Sequence, residues 1–191
     1  MTKTDAVSSD AVSTDAVSTD AASADSIGNG VVRLDELTLD SATDLHGGGS
    51  GGWDWVPGGP YEGSRFVAGR IAAAITEGRH TPGWAAYTIV RVEDGRAIGG
   101  IGFHGPPVEG RAEIGYDLAE AARGKGYATE AVRALCAWAF AQEGVRVVFA
   151  TTDVPNTASQ NVLKRAGFRQ VGGAGPVGDR EDQYLFELPA P

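Results

Sequence analysis

The sequence has one cysteine, one methionine and no long hydrophobic run. Cys136 lies on the apolar side of a predicted helix, so a disulfide and a cysteine-based metal site are both excluded, and we predict no metal cofactor. No apolar segment follows a basic start, and no run approaches the roughly 18 apolar residues of a membrane span. From these absences we expect a protein of the cell interior, cytoplasmic and without a membrane partner.

Positive charge is also scarce. The sequence has 16 lysines and arginines against 25 aspartates and glutamates, which gives a net charge of -9. Residues 1–30 hold five aspartates and one lysine, so they contribute -4 and the rest of the chain carries -5. This balance argues against a nucleic-acid partner. It is compatible with a cationic substrate, although solubility alone also explains a charge of this size.

Residues 5–24 repeat the pentad Asp-Ala-Val-Ser-Ser/Thr, which decays at Asp20-Ala-Ala-Ser. A period of five matches neither a helix nor a strand, and this composition cannot bury enough apolar surface to offset the entropy of ordering. We predict that residues 1–28 form a disordered low-complexity tail, and a recruitment or phosphorylation segment is the alternative. The length of 191 residues and the 42% hydrophobic share suit a single globular domain over residues 29–191.

The stretch Arg123-Gly-Lys-Gly-Tyr-Ala128, here called the cradle, lies between an alternating run, 111–118, and a helical run, 128–143. Its two glycines let backbone amides face one point, and the helix adds its first-turn N–H groups and the positive end of its dipole. We predict that the cradle binds a diphosphate. A Walker A loop is excluded because Ala119 and Gly126 occupy its required positions, and a dinucleotide fingerprint fails at Thr129. A glycine-rich turn with solvated basic residues stays open.

Apolar periodicity and turn residues predict an α/β (α+β) fold. Strands are expected over 31–37, 84–92, 96–103, 111–118, 145–151, 168–171 and 184–188. Helices are expected over 40–45, over 64–77 with Ser64 as the cap, over 128–143, and up to 166 with Asn156 as the cap. Three consecutive strands predict an antiparallel meander, whereas strand, cradle, helix and strand predict one parallel pair.

A glycine-rich loop, Gly47-Gly-Gly-Ser-Gly-Gly52, precedes two tryptophans, Trp53 and Trp55. Flexible backbone beside two indole rings is typical of a mobile loop that contacts a ligand. We therefore predict that both tryptophans bind substrate. The equally weighted alternative is that both rings cap the edge of the core.

The chain resembles the GNAT superfamily of acyl-CoA-dependent N-acetyltransferases over roughly residues 31–188. The cradle is similar to the family's Arg/Gln-x-x-Gly-x-Gly/Ala motif. The segments 113–118 and 129–131 and the Asn156-x-x-Ser159 element are similar to the branch of ribosomal-protein alanine and serine N-terminal acetyltransferases. One departure is Ala121-Ala122, where the branch often has Pro-Glu-aromatic. The resemblance implies a GNAT fold, a mixed and mostly antiparallel sheet of six or seven strands, splayed at a parallel pair and flanked by about four helices.

The ligand that the resemblance implies is acetyl-CoA, as a co-substrate. The pantetheine arm would pair with the backbone at the end of the fourth strand and reach Asn156, while the cradle amides hold the pyrophosphate. The implied cofactor-binding residues are Tyr116, Asp117, Leu118, Arg123, Gly124, Lys125, Gly126, Tyr127, Ala128, Thr129, Asn156, Ser159 and Lys164. A solvated helix face is the alternative for Lys164 and its neighbour Arg165.

Acetyl transfer to an amine needs a neutral amine, an oxyanion donor and a proton for the leaving thiolate. Glu113 is the predicted base because it lies a few residues before the pantetheine contacts, and as in other GNAT enzymes it would act directly or through water. Pairing with Arg111 or another base is the structural alternative. His104 ends the neighbouring strand and is the second candidate base and a predicted substrate contact.

The remaining catalytic roles are also expectations from this chemistry. Ser159, or in second place Tyr184, would return a proton to sulfur. A backbone N–H near Asp117 or Leu118 would serve as the oxyanion donor.

The function that the resemblance implies is acetyl transfer in a ternary complex to an amine-bearing small molecule or a peptide N-terminus. A non-catalytic acyl-CoA-binding module of GNAT type is the first alternative. A nucleotide-dependent oxidoreductase is the second, and it is weakened at Thr129. No motif identifies the acceptor, and both a monomer and a homodimer stay open.

Overall fold

A computed structural model describes residues 27–173, 175–177 and 180–191. The predicted tail lies outside these residues except for Ile27 and Gly28, so its disorder and the proposed domain division stay predictions. In chain order the elements are β1 Ile27–Gly28, β2 Val32–Glu36, α1 Leu39–His46, α2 Glu62–Thr76, β3 Ala86–Arg91, β4 Ala97–Phe103, β5 Arg111–Leu118, a 3-10 turn Glu120–Ala122, α3 Tyr127–Phe140, β6 Val147–Asp153, α4 Thr157–Ala166, β7 Arg169–Gln170, β8 Gly175–Val177 and β9 Arg180–Pro189.

The strands join one mixed sheet in the order β1-β2-β3-β4-β5-β6-β9-β7, and β8 pairs with β9 beside that path. Neighbours are antiparallel except β5 and β6, which are parallel. The predicted mixed and mostly antiparallel sheet, with its parallel pair and four flanking α-helices, is confirmed. The two strands without a counterpart in the sequence prediction, β1 and β8, are two and three residues long and too short to show a period of two.

The parallel pair splits partway along its length. Strand β5 pairs with β6 only where Arg111–Glu113 faces Val147–Phe149. Beyond that point β5 keeps its pairing with β4, and β6 continues to Asp153 in its pairing with β9. The edge of β5 over residues 114–118 is therefore without a strand partner on the β6 side among the described residues. Backbone N–H and C=O groups on such an edge can pair with an extended ligand.

Helix α3 packs one face on the sheet. Its buried residues recur three and four positions apart, as expected for an amphipathic helix, and they include Ala128, Ala131, Val132, Leu135 and Ala139. The same core cluster contains Val148 of β6 and Phe186 of β9 together with residues of β2 to β5. Full burial of a side chain such as Leu135 contributes about 1.5–3 kcal/mol. The two parts of the split sheet therefore share one core with α3.

Helices α1 and α2 pack together over a smaller cluster that includes Leu45, Ala68 and Ala86. Arg65 of α2 donates from Nη1 to the carbonyl oxygens of Leu45 and Gly49 at 2.7 and 2.9 Å. These bonds attach the glycine-rich loop to α2. No helix in the described ranges is both long and apolar enough to cross a membrane.

The prediction that Ser64 caps a helix is wrong. Helix α2 begins two residues earlier, at Glu62, after an N-cap at Tyr61 that makes no side-chain cap bond. Ser64 lies inside the first turn, and its Oγ donates to both carboxylate oxygens of Asp117, at 2.9 and 3.0 Å. An ionised carboxylate is a stronger acceptor than a neutral group, so this contact with β5 determines where the serine side chain lies.

Candidate active site

A cavity of about 570 Å³ is lined by the cradle and extends along the split edge of β5. Gly124 and Gly126 line it with φ of 75° and 86°, a left-handed conformation that costs other residues about 1–2 kcal/mol. No heavy atom lies within 4 Å of the position that a Cβ would take at either glycine. Gly126 is the N-cap of α3, and no side chain caps the helix. The first-turn N–H groups therefore remain available to an anion at the cavity wall.

Thr129 adds a hydroxyl to the same wall. It lies in the first turn of α3, lines the cavity and is 5% exposed. Its Oγ1 is buried without a hydrogen-bond partner among the described residues. A buried hydroxyl without a partner costs about 1–3 kcal/mol. A ligand oxygen in the cavity would offset that cost.

The N-terminus of α4 forms another part of the cavity wall through Asn156 and Ser159. Asn156 caps the helix, because its Oδ1 accepts from the Ser159 N–H at 3.1 Å. The Ser159 hydroxyl lies 2.9 Å from the Tyr116 hydroxyl, which also donates to the Ser159 carbonyl oxygen at 3.2 Å. Burial raises the pKa of Tyr116 to about 12, so its hydroxyl stays protonated at neutral pH. These bonds connect β5 with α4 across the split in the sheet.

Two of the four candidate cationic side chains line the cradle cavity. Arg123 and Arg165 belong to its wall, and the Nε of Arg123 donates to the Leu118 carbonyl oxygen at 3.0 Å. Lys125 and Lys164 are exposed and lie outside the wall. Positive charge inside the cavity therefore comes from Arg123 and Arg165.

A second cavity, of about 290 Å³, adjoins the first, and Tyr61, Tyr116 and Asp117 line both. The Asp117 carboxylate accepts from Ser64, as described above, and from the Gly100 N–H at 3.3 Å. Burial raises the pKa of Asp117, although these hydrogen bonds and the nearby charge of Arg123 oppose the rise. A half-buried carboxylate therefore lies at the junction of the two cavities.

His104 and Glu113 form a pair beside the second cavity. His104 lines the cavity and Glu113 does not, and the His104 Nδ1 lies 3.2 Å from the Glu113 Oε2. The Glu113 Oε1 also accepts from the Thr151 hydroxyl at 3.4 Å. A carboxylate bonded to Nδ1–H leaves Nε2 as the basic nitrogen of a neutral imidazole. Arg111, the alternative partner for Glu113 in the sequence, pairs with Glu187 instead.

The two loop tryptophans differ in position. Trp55 lines the second cavity, and its indole N–H donates to the Ser50 carbonyl oxygen at 2.8 Å. Trp53 lines neither cavity, and its indole N–H donates to Asp35 at 3.2 Å. Both rings pack against the cluster beneath α1 and α2. Tyr184, the second candidate acid, packs against the main core and lines neither cavity.

Sequence reasoning missed the side chains of Asp117, Ser64 and Tyr61. Asp117 was expected to contribute only backbone, yet it stands on the same strand face as Glu113, and a carboxylate on a half-buried strand face was an available signal. The contact between Ser64 and Asp117 joins positions 53 residues apart, and no local pattern indicates it.

The cavity, the uncapped start of α3 and the open edge of β5 together suit a phosphorylated ligand with an extended, amide-bearing arm. Coenzyme A has this chemistry, and the site fits it at three points. The glycines leave open space before unpaired helix N–H groups, Thr129 has a hydroxyl without a partner, and the β5 edge can pair with the arm. Within the described part of the chain, no group of three or more His, Cys, Asp or Glu residues could hold a metal ion.

Residues 34–169 match the family model of the acetyltransferase (GNAT) domain. This match covers well over half of the chain, and the chain therefore belongs to the GNAT acetyltransferase family. The family membership predicted from the cradle and the Asn156-x-x-Ser159 element is confirmed.

Among known proteins, the chain is 35% identical over 95 residues to an uncharacterized N-acetyltransferase, YjdG, of Bacillus subtilis (strain 168). That match covers 49% of the chain and 56% of YjdG, so the chain spans little more than half the length of this curated relative.

Solved structures share the fold at low sequence identity. A putative ribosomal-protein-serine acetyltransferase from Vibrio cholerae superposes with a TM-score of 0.62 at 17% identity, covering 86% of this chain and 97% of the other. The ribosomal-protein alpha-N-acetyltransferase RimL in complex with coenzyme A gives a TM-score of 0.60 at 18% identity, covering 83% and 94%. Ribosomal-protein acetyltransferases are thus among the proteins with this fold, as the resemblance to that branch predicts.

Proposed function

We propose that this chain is an N-acetyltransferase that moves an acetyl group from acetyl-CoA to a primary amine, on a small molecule or at a peptide N-terminus. The observation that carries the proposal is the pair of adjoining cavities that share Tyr61, Tyr116 and Asp117. Direct transfer needs both substrates bound side by side. Family membership, the N-acetyltransferase name of YjdG and the coenzyme A bound by RimL support this function.

The cradle cavity is the proposed coenzyme site. First-turn N–H groups of α3, the Arg123 guanidinium and the Thr129 hydroxyl would hold the diphosphate. The open edge of β5 at 116–118 would pair with the pantetheine arm. The Asn156 oxygen already accepts one bond in capping α4, and its side-chain NH₂ would donate to the arm. Lys125 and Lys164, outside the wall, would add only long-range attraction for phosphate.

The acyl thioester is what acetyl-CoA supplies to this site. A carbon–nitrogen bond to the amine forms as the carbon–sulfur bond breaks, one amine proton passes to a base, and the thiolate receives a proton from a donor. A lysine-type amine, with pKa near 10.4, is neutral about once in 10³ at pH 7, which costs roughly 4.6 kcal/mol. An α-amine has a pKa near 8, so its neutral form costs only about 1.4 kcal/mol at pH 7. The base therefore matters more for the first kind of acceptor.

We assign the base to the pair of His104 and Glu113, with His104 Nε2 accepting the proton and Glu113 positioning the ring. Glu113 alone was the prediction from the sequence, but His104 is the member that lines the cavity. Glu113→Gln is expected to lower kcat by about tenfold or more with little change in acceptor KM. His104→Gln is expected to lower kcat to a similar extent. An unchanged kcat in both variants would exclude the pair from the chemistry.

Ser159 is the proposed proton donor to the thiolate, because its hydroxyl lines the coenzyme cavity and bonds to Tyr116 at the junction. A backbone N–H of Asp117 or Leu118, at the end of β5, is the proposed oxyanion donor, and only that of Leu118 is on the side away from β4. Tyr184 is the weaker candidate acid, since it lines neither cavity.

Two measurements on the full chain test the function. Titration calorimetry with coenzyme A should show binding, and free thiol should appear from acetyl-CoA when a panel of primary amines is added. Initial-rate lines that intersect indicate a ternary complex, whereas parallel lines would contradict direct transfer. Coenzyme binding without amine-dependent thiol release would replace the proposal with the non-catalytic acyl-CoA-binding module.

A further inference from the structure

The second cavity is small and largely apolar. Its floor is formed by glycines of two neighbouring strands, Gly99, Gly100, Gly102 and Gly115. Gly99 and Gly102 cannot carry a side chain without a backbone shift, since a Cβ at the first would clash with the Asp117 carbonyl oxygen and a Cβ at the second would lie 2.6 Å from the Ala85 carbonyl oxygen. Leu37, Leu45, Val67, Tyr87, Ile101 and Phe103 supply the apolar walls. Bare backbone and apolar side chains thus line a slot in the sheet surface that fits an apolar body.

Asp117 is the carboxylate of this slot. Its hydrogen bonds come from one serine hydroxyl and one backbone N–H, and no lysine or arginine nitrogen of the described residues lies within 4.0 Å of it. A carboxylate can accept about four hydrogen bonds, so acceptor capacity remains. A partly buried negative charge with no cationic group in direct contact is costly, and a bound cation would offset that cost.

The size of the slot limits the ligand. Its volume of about 290 Å³ is at the lower end of the range for small-molecule sites, which is about 300–1,000 Å³. A compact molecule or a single terminal side chain fits this volume, whereas a folded protein segment would have to lie outside it. The apolar walls disfavour a polar ligand, because its polar groups would lose hydrogen bonds to water without gaining hydrogen bonds to the protein.

We propose that the second cavity binds a compact primary amine with an apolar body, whose ammonium group pairs with Asp117 at the junction of the two cavities. This inference rests on the proposed acetyl transfer and names its acceptor class. The apolar body lies against the glycine floor, and the amine points toward the coenzyme cavity.

Calorimetry on the full chain saturated with coenzyme A tests the pairing with two ligands of nearly equal shape. At pH 7, 2-phenylethylamine should bind about tenfold or more tightly than 2-phenylethanol, which lacks the charge. Asp117→Asn should reduce amine affinity by about tenfold and leave alcohol affinity within about twofold. Equal binding of amine and alcohol, or an equal loss of both in the variant, would overturn the role of Asp117.

A pair of valine variants tests the slot. Val67 lines the slot and is 40% exposed, so Val67→Phe should fold and should weaken 2-phenylethylamine binding by about tenfold. Val171 is 55% exposed and lines neither cavity, and Val171→Phe should leave binding unchanged. Asp35→Asn is the matched carboxylate control, because Asp35 is half-buried but pairs with Arg33 outside both cavities.

Thiol release separates this inference from the proposed function. Acetyl transfer to 2-phenylethylamine with a kcat/KM about tenfold or more above that for ethanolamine or an alanine-terminated peptide supports the inference. Turnover of the peptide or ethanolamine, without binding of 2-phenylethylamine, would overturn the inference and leave the acetyltransferase proposal intact. No turnover with any amine would overturn the acetyltransferase proposal, while calorimetry would still decide whether the slot binds the amine.

Discussion

Two threonine hydroxyls are buried without a hydrogen-bond partner among the described residues, and they differ in where they lie. Thr129 lines the cradle cavity, whereas Thr152 in β6 lines neither cavity. Thr129→Val should weaken coenzyme A binding by about tenfold, because a hydrogen bond to a charged group is worth about 1.5–3 kcal/mol. The melting temperature without ligand should not fall, since no protein hydrogen bond is lost.

Thr152→Val is the matched control for this prediction. It removes the same kind of hydroxyl from the same β-branched shape, so coenzyme A affinity measured by calorimetry should stay within about twofold of the parent. Equal affinity losses in both variants would mean that Thr129 acts through packing and not through the ligand.

Asp117 should make stability fall with rising pH. Its pKa is raised in the folded chain by burial, so the folded state holds the proton more tightly than the unfolded state does. Its favourable contribution is complete below the unfolded value near 3.8 and is lost as pH rises through the folded value. Asp117→Asn removes the titrating carboxylate. The melting temperature of the variant minus that of the parent should therefore become more positive between pH 4 and pH 8.

Asp94 provides a control of opposite sign. The hydrogen bond from Arg91 lowers the pKa of Asp94 to about 2, so its contribution is present above the unfolded value near 3.8 and is lost as pH falls toward 2. Asp94→Asn should therefore lose melting temperature relative to the parent at neutral pH and lose less in acid. A constant difference for Asp117→Asn across the pH range would show that its carboxylate does not titrate in this window.

At the scale of the elements, the turn into α3 combines backbone strain with ligand binding, and the two effects can be separated. Gly126 has φ of 86° and Gly144 has φ of 82°, and at neither residue does a heavy atom lie within 4 Å of the place that a Cβ would occupy. Alanine at either site should cost about 1–2 kcal/mol, or roughly 2–8 °C in melting temperature. Only Gly126→Ala should also weaken coenzyme A binding, by about tenfold or more, because Gly126 lines the cavity.

Calorimetry and thermal melts on both variants check this prediction. Similar melting temperatures with different affinities support a cradle whose open space is used by the ligand. If Gly144→Ala weakened coenzyme A binding as much as Gly126→Ala, the affinity loss would follow from destabilisation alone.

Most elements could be predicted because their signals are local. The α3 face repeats every three to four residues, Asn156 caps α4, and Gly167 ends it with φ of 101°. Ser64 shows where local reasoning stops, since serine is a common cap but here contacts a carboxylate on a distant strand. The cradle could be found from the sequence for the same local reason. The slot could not, because its floor comes from two strands brought together by the sheet.

At the scale of the whole molecule, the sheet consists of two parts, and three paired positions of β5 and β6 join them directly. Side chains of both parts and of α3 belong to one core cluster, and the bonds between Tyr116 and Ser159 cross the split. A coenzyme lying between β5 and α4 would contact residues from both parts. Ligand binding should therefore stabilise the domain as one cooperative unit and not only its cradle.

Coenzyme A at about 100 times its dissociation constant should raise the unfolding free energy by about 2.7 kcal/mol, because it binds only the folded chain. For a domain of this size that corresponds to a rise of roughly 5–10 °C in melting temperature with a single transition. Pantetheine at the same concentration lacks the diphosphate and should give a smaller rise, since the cradle N–H groups stay without a partner. Differential scanning calorimetry of the full chain measures both shifts. Equal shifts for the two ligands would contradict the cradle as the anchor, and two separate transitions would contradict coupling across the split.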